Sequence, residues 1–165
     1  MNESYVECLV GRKTSPLVKF LKILILVVAA FFVVDGLFAQ NTVVFFLAVL
    51  VATAAYFLYP LLDVEYEYLY LDKEISIDKI MGKQRRKKVA AYDINKMEFL
   101  TEESSHELDS YKARKVKLYD YGSNDPANKS YIMVYHDDKE ECLVKFEPNE
   151  EMLECIKNVA PRKVK

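Results

Sequence analysis

Glycine, histidine and cysteine are all scarce in this sequence, and each scarcity removes a class of function. Four glycines in 165 residues leave no Gly-rich phosphate loop, and no Gly-x-Ser-x-Gly nucleophile elbow occurs. The two histidines are His106 and His136. His136 and Cys142 fall on neighbouring predicted strands, but nothing in the sequence supplies a third and fourth metal ligand. The three cysteines, Cys8, Cys142 and Cys155, are odd in number and fit no zinc or redox spacing, so a free, reduced state is the simplest reading. Cys142 and Cys155 sit on apolar faces, where cysteine serves as a small hydrophobe. The acidic residues are scattered among lysines, as on solvated faces. The expectation is a chain without catalytic residues, bound metal or cofactor.

Basic excess is lacking too. Of 23 Lys and Arg and 25 Asp and Glu, four basic and three acidic residues precede position 63, leaving 19 against 22 in the remainder, a net charge of −3. That balance argues against a nucleic-acid partner.

Charge is sparse in one long apolar stretch and missing from a second. The first apolar run spans 17–39, and its core from Ile23 to Val34 holds no polar residue. About 22 residues at 1.5 Å each give roughly 33 Å, enough to cross the hydrocarbon layer of a bilayer. Lys19 and Lys22 stand at its start, where long stems can snorkel to headgroups. The second run, 42–62, carries no charge and ends in Tyr56 and Tyr59, as an interfacial aromatic belt requires. Only Ala39, Gln40 and Asn41 remain as a turn, which forces an antiparallel hairpin. A cleaved signal peptide is disfavoured, since the apolar core begins late, continues into a second span and offers no Ala-x-Ala site. Neither run has the polar face of a soluble surface helix.

Orientation follows from the basic residues. Arg12, Lys13, Lys19 and Lys22 flank the first run, the turn carries none, and Lys73, Lys79 and a dense run at 83–88 follow the second. The positive-inside rule then puts both termini in the cytoplasm of a two-span plasma-membrane protein. On that side the sequon Asn128-Lys129-Ser130 is a chance match. Asp35 reads either as an intramembrane carboxylate or, as its position favours, as an acidic residue at the outer interface. Tyr5, Val6, Leu9 and Val10 predict a short interfacial helix within residues 3–10. The expected organisation is an N-terminal cytoplasmic segment (1–16), a two-helix hairpin (17–62) and a cytoplasmic domain (63–165).

After Leu62 the apolar pattern becomes alternating. Val64, Tyr66, Tyr68 and Tyr70 share one face of a first strand, and Asp72-Lys73-Glu74 connects it tightly to a second carrying Ile75 and Ile77. Gly82 marks a break. Further strands fit 87–92, 97–101, 116–121, 131–136 and 142–146, with a polar loop over 102–113 and turn formers at 122–126 and 137–140. Pro148 and Asn149 begin a helix with Glu150 and Glu151 in its first turn; Met152, Ile156 and Val159 form its apolar stripe, and Pro161 stops it. The open end of the strand assembly is the expected partner of that stripe.

Seven short strands followed by one amphipathic helix resemble the pleckstrin-homology superfold. Tyr70-Leu71-Asp72-Lys73-Glu74-Ile75-Ser76-Ile77-Asp78-Lys79-Ile80 looks like the first hairpin of bacterial pleckstrin-homology-like domains, and Ile94-Asn95-Lys96-Met97-Glu98 like the short element before their next strand. The resemblance covers about residues 64–160 and implies a curved, barrel-like antiparallel sheet with a capping helix. With two spans ahead of it, the chain resembles small two-span bacterial membrane proteins.

Lys83-Gln84-Arg85-Arg86-Lys87-Lys88 places five positive charges in six residues. Each can contribute about 1 kcal/mol near an anionic membrane surface. Lys83, Arg85, Arg86, Lys87 and Lys88 are therefore the candidate contact for anionic phospholipid headgroups, a reading strengthened by the basic hairpin loops of related domains. The plainer reading is a topology marker that keeps the loop soluble. Arg162, Lys163 and Lys165 form a second, smaller basic patch. The leading expectation is a non-catalytic module that meets a protein or anionic lipid at the inner membrane face. One alternative is an accessory subunit of a transporter or export complex, with Ala29, Ala30, Ala52, Ala54 and Ala55 permitting close helix approach to a membrane-protein partner. The other is an enzyme of unfamiliar kind, which a deep polar pocket with convergent carboxylates would reveal.

Overall fold

The computed structural model describes residues 5–38, 42–137 and 140–165. The turn residues Ala39, Gln40 and Asn41, the N-terminal Glu3, and Asp138 and Lys139 of the 137–140 turn lie outside the described residues. The chain forms two compact units. One comprises Lys13–Val64 with Met81–Arg85; the other holds the N-terminal strand, Glu65–Ile80 and Arg86–Lys165.

The helical unit contains α1 (Pro16–Phe38) and α2 (Thr42–Leu61), within one residue of the apolar runs. Both are long and apolar enough to cross a membrane. They cross closely at Gly36, where an added Cβ would meet Ala48 Cβ at 2.8 Å. Small residues at a crossing let two backbones approach. Thr53 returns its hydroxyl to Val49 O at 2.7 Å, satisfying the one side-chain donor in the middle of α2. Asp35 is exposed in the last turn of α1. Near the start of α1, Lys22 Nζ reaches Asp63 Oδ1 at 2.5 Å and lies 5.1 Å from the centre of the Tyr59 ring, so the two helices run antiparallel.

In the β unit, one sheet has the order β1-β2-β3-β4, formed by Val6–Gly11, Val64–Leu71, Glu74–Met81 and Arg85–Asp93. The second has the order β5-β7-β8-β6, formed by Met97–Glu102, Tyr131–His136, Glu141–Phe146 and Lys117–Asp120. A single helix, α4 (Glu150–Val159), follows, capped by Asn149, whose side chain accepts from the Met152 amide at 2.9 Å. Its Met152 and Ile156 are fully buried. Strands followed by a capping C-terminal helix reproduce the pleckstrin-homology-like order.

Two features depart from the sequence expectation. The N-terminal segment is not an interfacial helix. It is β1, paired antiparallel with β2 from Val6↔Tyr70 to Gly11↔Glu65. Val6 is buried while Tyr5 and Leu9 are exposed, the two-residue alternation of an edge strand rather than a helical stripe. Both helices thus lie in the connection between two paired neighbours, and the chain leaves and re-enters this sheet at one end.

The assembly is also not wholly antiparallel, because β6 runs parallel to β8. A parallel arrival needs a crossover of about a dozen residues or more. The segment between β5 and β6, where a polar loop was expected over 102–113, supplies it through a short 3-10 turn (His106–Leu108) and α3 (Asp109–Ala113). Leu108 and Tyr111 from this crossover cover one face of β5, β7 and β8, packing with Phe99, Ile132, Val134 and Leu143. Tyr68 covers Phe146 edge-on at 5.7 Å on the opposite face, and Tyr92 meets Tyr135 at 5.0 Å. A strand covered on both faces loses alternation, which explains the continuous burial from Ile132 to Tyr135. The last residues run along β5: Leu100 N–H donates to Lys163 O at 2.7 Å and Lys165 N–H to Leu100 O at 2.9 Å. Cys8, Cys142 and Cys155 are free.

Candidate functional site

The basic run forms the tip of the β3–β4 hairpin and the start of β4. Met81 and Gln84 close a tight turn, with Gln84 N–H donating to Met81 O at 3.3 Å, and Gly82 and Lys83 both take positive φ (59° and 57°). Two successive left-handed residues match the right-handed twist of a hairpin, and glycine meets that demand at no steric cost. Gly82 N–H also donates to Asp63 O at 2.9 Å, just beyond α2, and Asp63 N–H donates to Pro60 O. Within the helical unit, the turn bearing Lys83 is therefore fastened to the end of an apolar helix, beside Lys22 and Asp63.

All five cations of the run are exposed, but they are not equivalent. Arg86 leans over β2 and β3, with Nε 2.7 Å from Asp78 Oδ2 and its guanidinium also against Glu67. Glu67 and Asp78 are both buried on that face, so Arg86 neutralises carboxylates that would otherwise lie poorly hydrated. Lys88 pairs with Glu74 at 3.3 Å. Lys83, Arg85 and Lys87 have no ion-pair partner among the described residues. Arg12, counted above as a flanking charge, is used inside the β unit: it reaches Tyr66 Oη at 3.1 Å and Asp120 at 3.5 Å. Lys163, from the smaller basic patch, is likewise engaged, donating to Met97 O at 2.6 Å and Asn95 O at 2.9 Å.

Two further polar clusters were not legible in the sequence. Glu147, buried just beyond β8, accepts from the Ser123 amide (2.8 Å), the Ser123 hydroxyl (2.9 Å) and Asn128 Nδ2 (3.1 Å). It thereby orders the 122–130 loop beside an open polar cavity of about 590 Å³, lined in part by Glu102, Glu103, Lys129 and Lys145. Ser123 is itself buried, and its hydroxyl is occupied in this network. The second cluster is Glu98, His136 and Glu141 at one end of β5, β7 and β8. His136 Nε2 lies 2.7 Å from Glu98 Oε2 and 3.7 Å from Glu141 Oε1. Burial opposes ionisation of Glu98, but the bonds to His136 and Tyr111 outweigh it and hold its carboxyl below the usual range. His136 is thus grouped with Glu98 and Glu141 rather than with Cys142. His136 pairs with Glu141 across the ladder, whereas Cys142 pairs with Tyr135 and points to the other face. The only sequence signal was a glutamate near the start of β5 and of β8 and a histidine at the end of β7, which carries no information until strand order is known.

The chain matches no curated protein and no solved structure. A family model described as Bacterial PH-like domain (DUF6106) matches residues 2–165, so the match takes in the two apolar helices as well as the sheets. The β1-to-β2 connection that carries those helices therefore lies within the family pattern, and the chain belongs to the Bacterial PH-like domain family DUF6106.

Proposed function

We propose that this protein is a non-catalytic, membrane-anchored PH-like module whose β3–β4 tip contacts anionic phospholipid headgroups at the inner face of the plasma membrane. The observation that carries the reading is the tip itself: Lys83 sits in a turn bonded to the end of α2, and neither Lys83 nor Arg85 has an ion-pair partner among the described residues. A cation held beside the end of a membrane helix lies in the headgroup layer, where each contributes about 1 kcal/mol toward an anionic surface. Same-side termini have support beyond the basic flanks. β1 precedes the helices and β2 follows them, and the two strands pair. That pairing supports the reading with both flanks on one side of the membrane.

The test uses the full chain in nanodiscs of neutral or anionic phospholipid, at low and high salt. Amide exchange at residues 81–88 should slow in the anionic discs at low salt, and the double variant Lys83→Gln, Arg85→Gln should lose that difference. Equal exchange in both lipids would remove the lipid reading and favour a protein partner. The second reading is that a protein partner engages the helical pair at the close approach of Gly36 and Ala48, as in an accessory subunit of a larger membrane complex; co-purification of such a complex would favour it.

A further inference from the structure

We propose that Glu98, His136 and Glu141 form a binding site for a divalent transition-metal cation, with zinc as the working probe. One ligand atom from each residue, an imidazole nitrogen and two carboxylate oxygens, all lie within 4.8 Å of one another. Tetrahedral ligands at 2.0–2.2 Å from a common ion stand about 3.3–3.6 Å apart, a spacing that small side-chain shifts bring within reach of this cluster. From His136 Nε2, Glu141 Oε1 at 3.7 Å is already near that spacing, while Glu98 Oε2 at 2.7 Å is at hydrogen-bond distance and moves apart as the ion replaces the shared proton.

The outer oxygens of both carboxylates are held by other residues. Glu98 uses Oε1 to accept from Tyr111 Oη at 3.0 Å, leaving Oε2 toward His136. Glu141 uses Oε2 to meet Arg114 at 3.3 Å, leaving Oε1 toward His136. Each acid is thus oriented by one partner while its second oxygen converges on the imidazole, the division of labour that outer-shell groups impose on metal ligands. The three residues rise from adjacent strands of one sheet, a rigid platform, and the site faces solvent, so water can fill the remaining positions. One nitrogen and two oxygens suit zinc and its first-row neighbours better than calcium, which takes six to eight oxygens. Arg114 is the opposing charge: it sharpens the aim of Glu141 and weakens attraction for a cation.

The experiment titrates zinc into the full chain, purified in detergent and stripped with a chelator, reading heat of binding and thermal midpoint. The expected result is one zinc per chain with a raised midpoint. His136→Ala and, separately, Glu141→Gln should each weaken binding by more than about tenfold, since losing a ligand costs at least as much as losing an outer-shell partner. Arg114→Ala should leave the site occupied and tighten it. Cobalt in place of zinc should give visible bands without the near-ultraviolet thiolate absorption that Cys8, Cys142 or Cys155 would produce. No saturable binding, unchanged affinity in both ligand variants, or a thiolate band would each overturn the proposal.

Discussion

Gly82 lies so close to Pro60 that no side chain fits between them: a Cβ on Gly82 would stand 2.9 Å from Pro60 Cβ and 3.0 Å from Pro60 O. Its φ of 59° is also one that L-residues adopt at a cost of about 1–2 kcal/mol. Gly82→Ala is therefore expected to destabilise the helical unit by about 2 kcal/mol or to pull the turn away from Asp63. Amide exchange at position 82 is the check. An unchanged rate together with an unchanged thermal midpoint in detergent would refute the fastening.

Arg85 and Arg86 are neighbours with opposite duties. Arg86→Gln leaves Glu67 and Asp78 buried without their cation, and a cost of about 2 kcal/mol is expected, reduced from the fully buried case because Arg86 is half exposed. Arg85→Gln should stay within about 0.5 kcal/mol of the parent in stability. Denaturant midpoints for the two single variants decide the matter; equal midpoints would mean that Arg86 is not structural.

Glu147→Ala removes the acceptor shared by Ser123 and Asn128 and leaves the Ser123 amide and hydroxyl without that partner in a buried loop. A loss of about 2–3 kcal/mol is expected, with faster amide exchange confined first to residues 122–130. Gly122→Ala should disturb the same loop, since its Cβ would stand 2.9 Å from Glu147 Oε1. If exchange in the loop is unaltered in both variants, Glu147 does not organise it.

Alkaline pH is expected to lower the stability of the β unit. Burial raises the Tyr68 and Tyr92 phenols, reinforced by the Glu147 charge near Tyr68 and by the Tyr121 hydroxyl beside Tyr92. Their folded forms hold a proton more tightly than the unfolded chain does at its ordinary value of 10.0. The stability they contribute is complete below pH 10 and falls as pH rises above it, by about 1.4 kcal/mol per pH unit for each phenol. Cys8 and Cys142, raised by burial from 9.0, begin the decline earlier. Urea midpoints between pH 8 and 11 should show this fall, and Tyr68→Phe should flatten it. A flat profile would mean that these side chains are not excluded from water.

Local pattern determined much of this protein. Apolar runs of membrane length fixed α1 and α2 to within a residue, because apolar continuity is a property of neighbours in the chain. Alternation fixed β2 and β7, the Asn149-Glu150-Glu151 start fixed α4, and Gly82 marked the hairpin turn that lies against Pro60. Strand partnership was decided only by tertiary structure. Val6 to Gly11 reads equally as a short helix or a strand until β2 supplies its ladder across the whole helical insertion. The parallel placement of β6 depends on a crossover that has to cover an apolar face, a demand set by β5, β7 and β8 rather than by residues 103–116 themselves. The charged residues obey the same rule. Five cations in a row read as one patch, but alternation across a sheet edge turned Arg86 and Lys88 onto carboxylates and left Lys83, Arg85 and Lys87 without an ion pair among the described residues. Glu98 is 38 residues from His136 in the chain and meets the His136–Glu141 pair only because β5 lies beside β7. Sequence specifies what a residue can offer; which groups it meets is set by long-range pairing, whose energy comes from contacts that do not exist until the chain has folded.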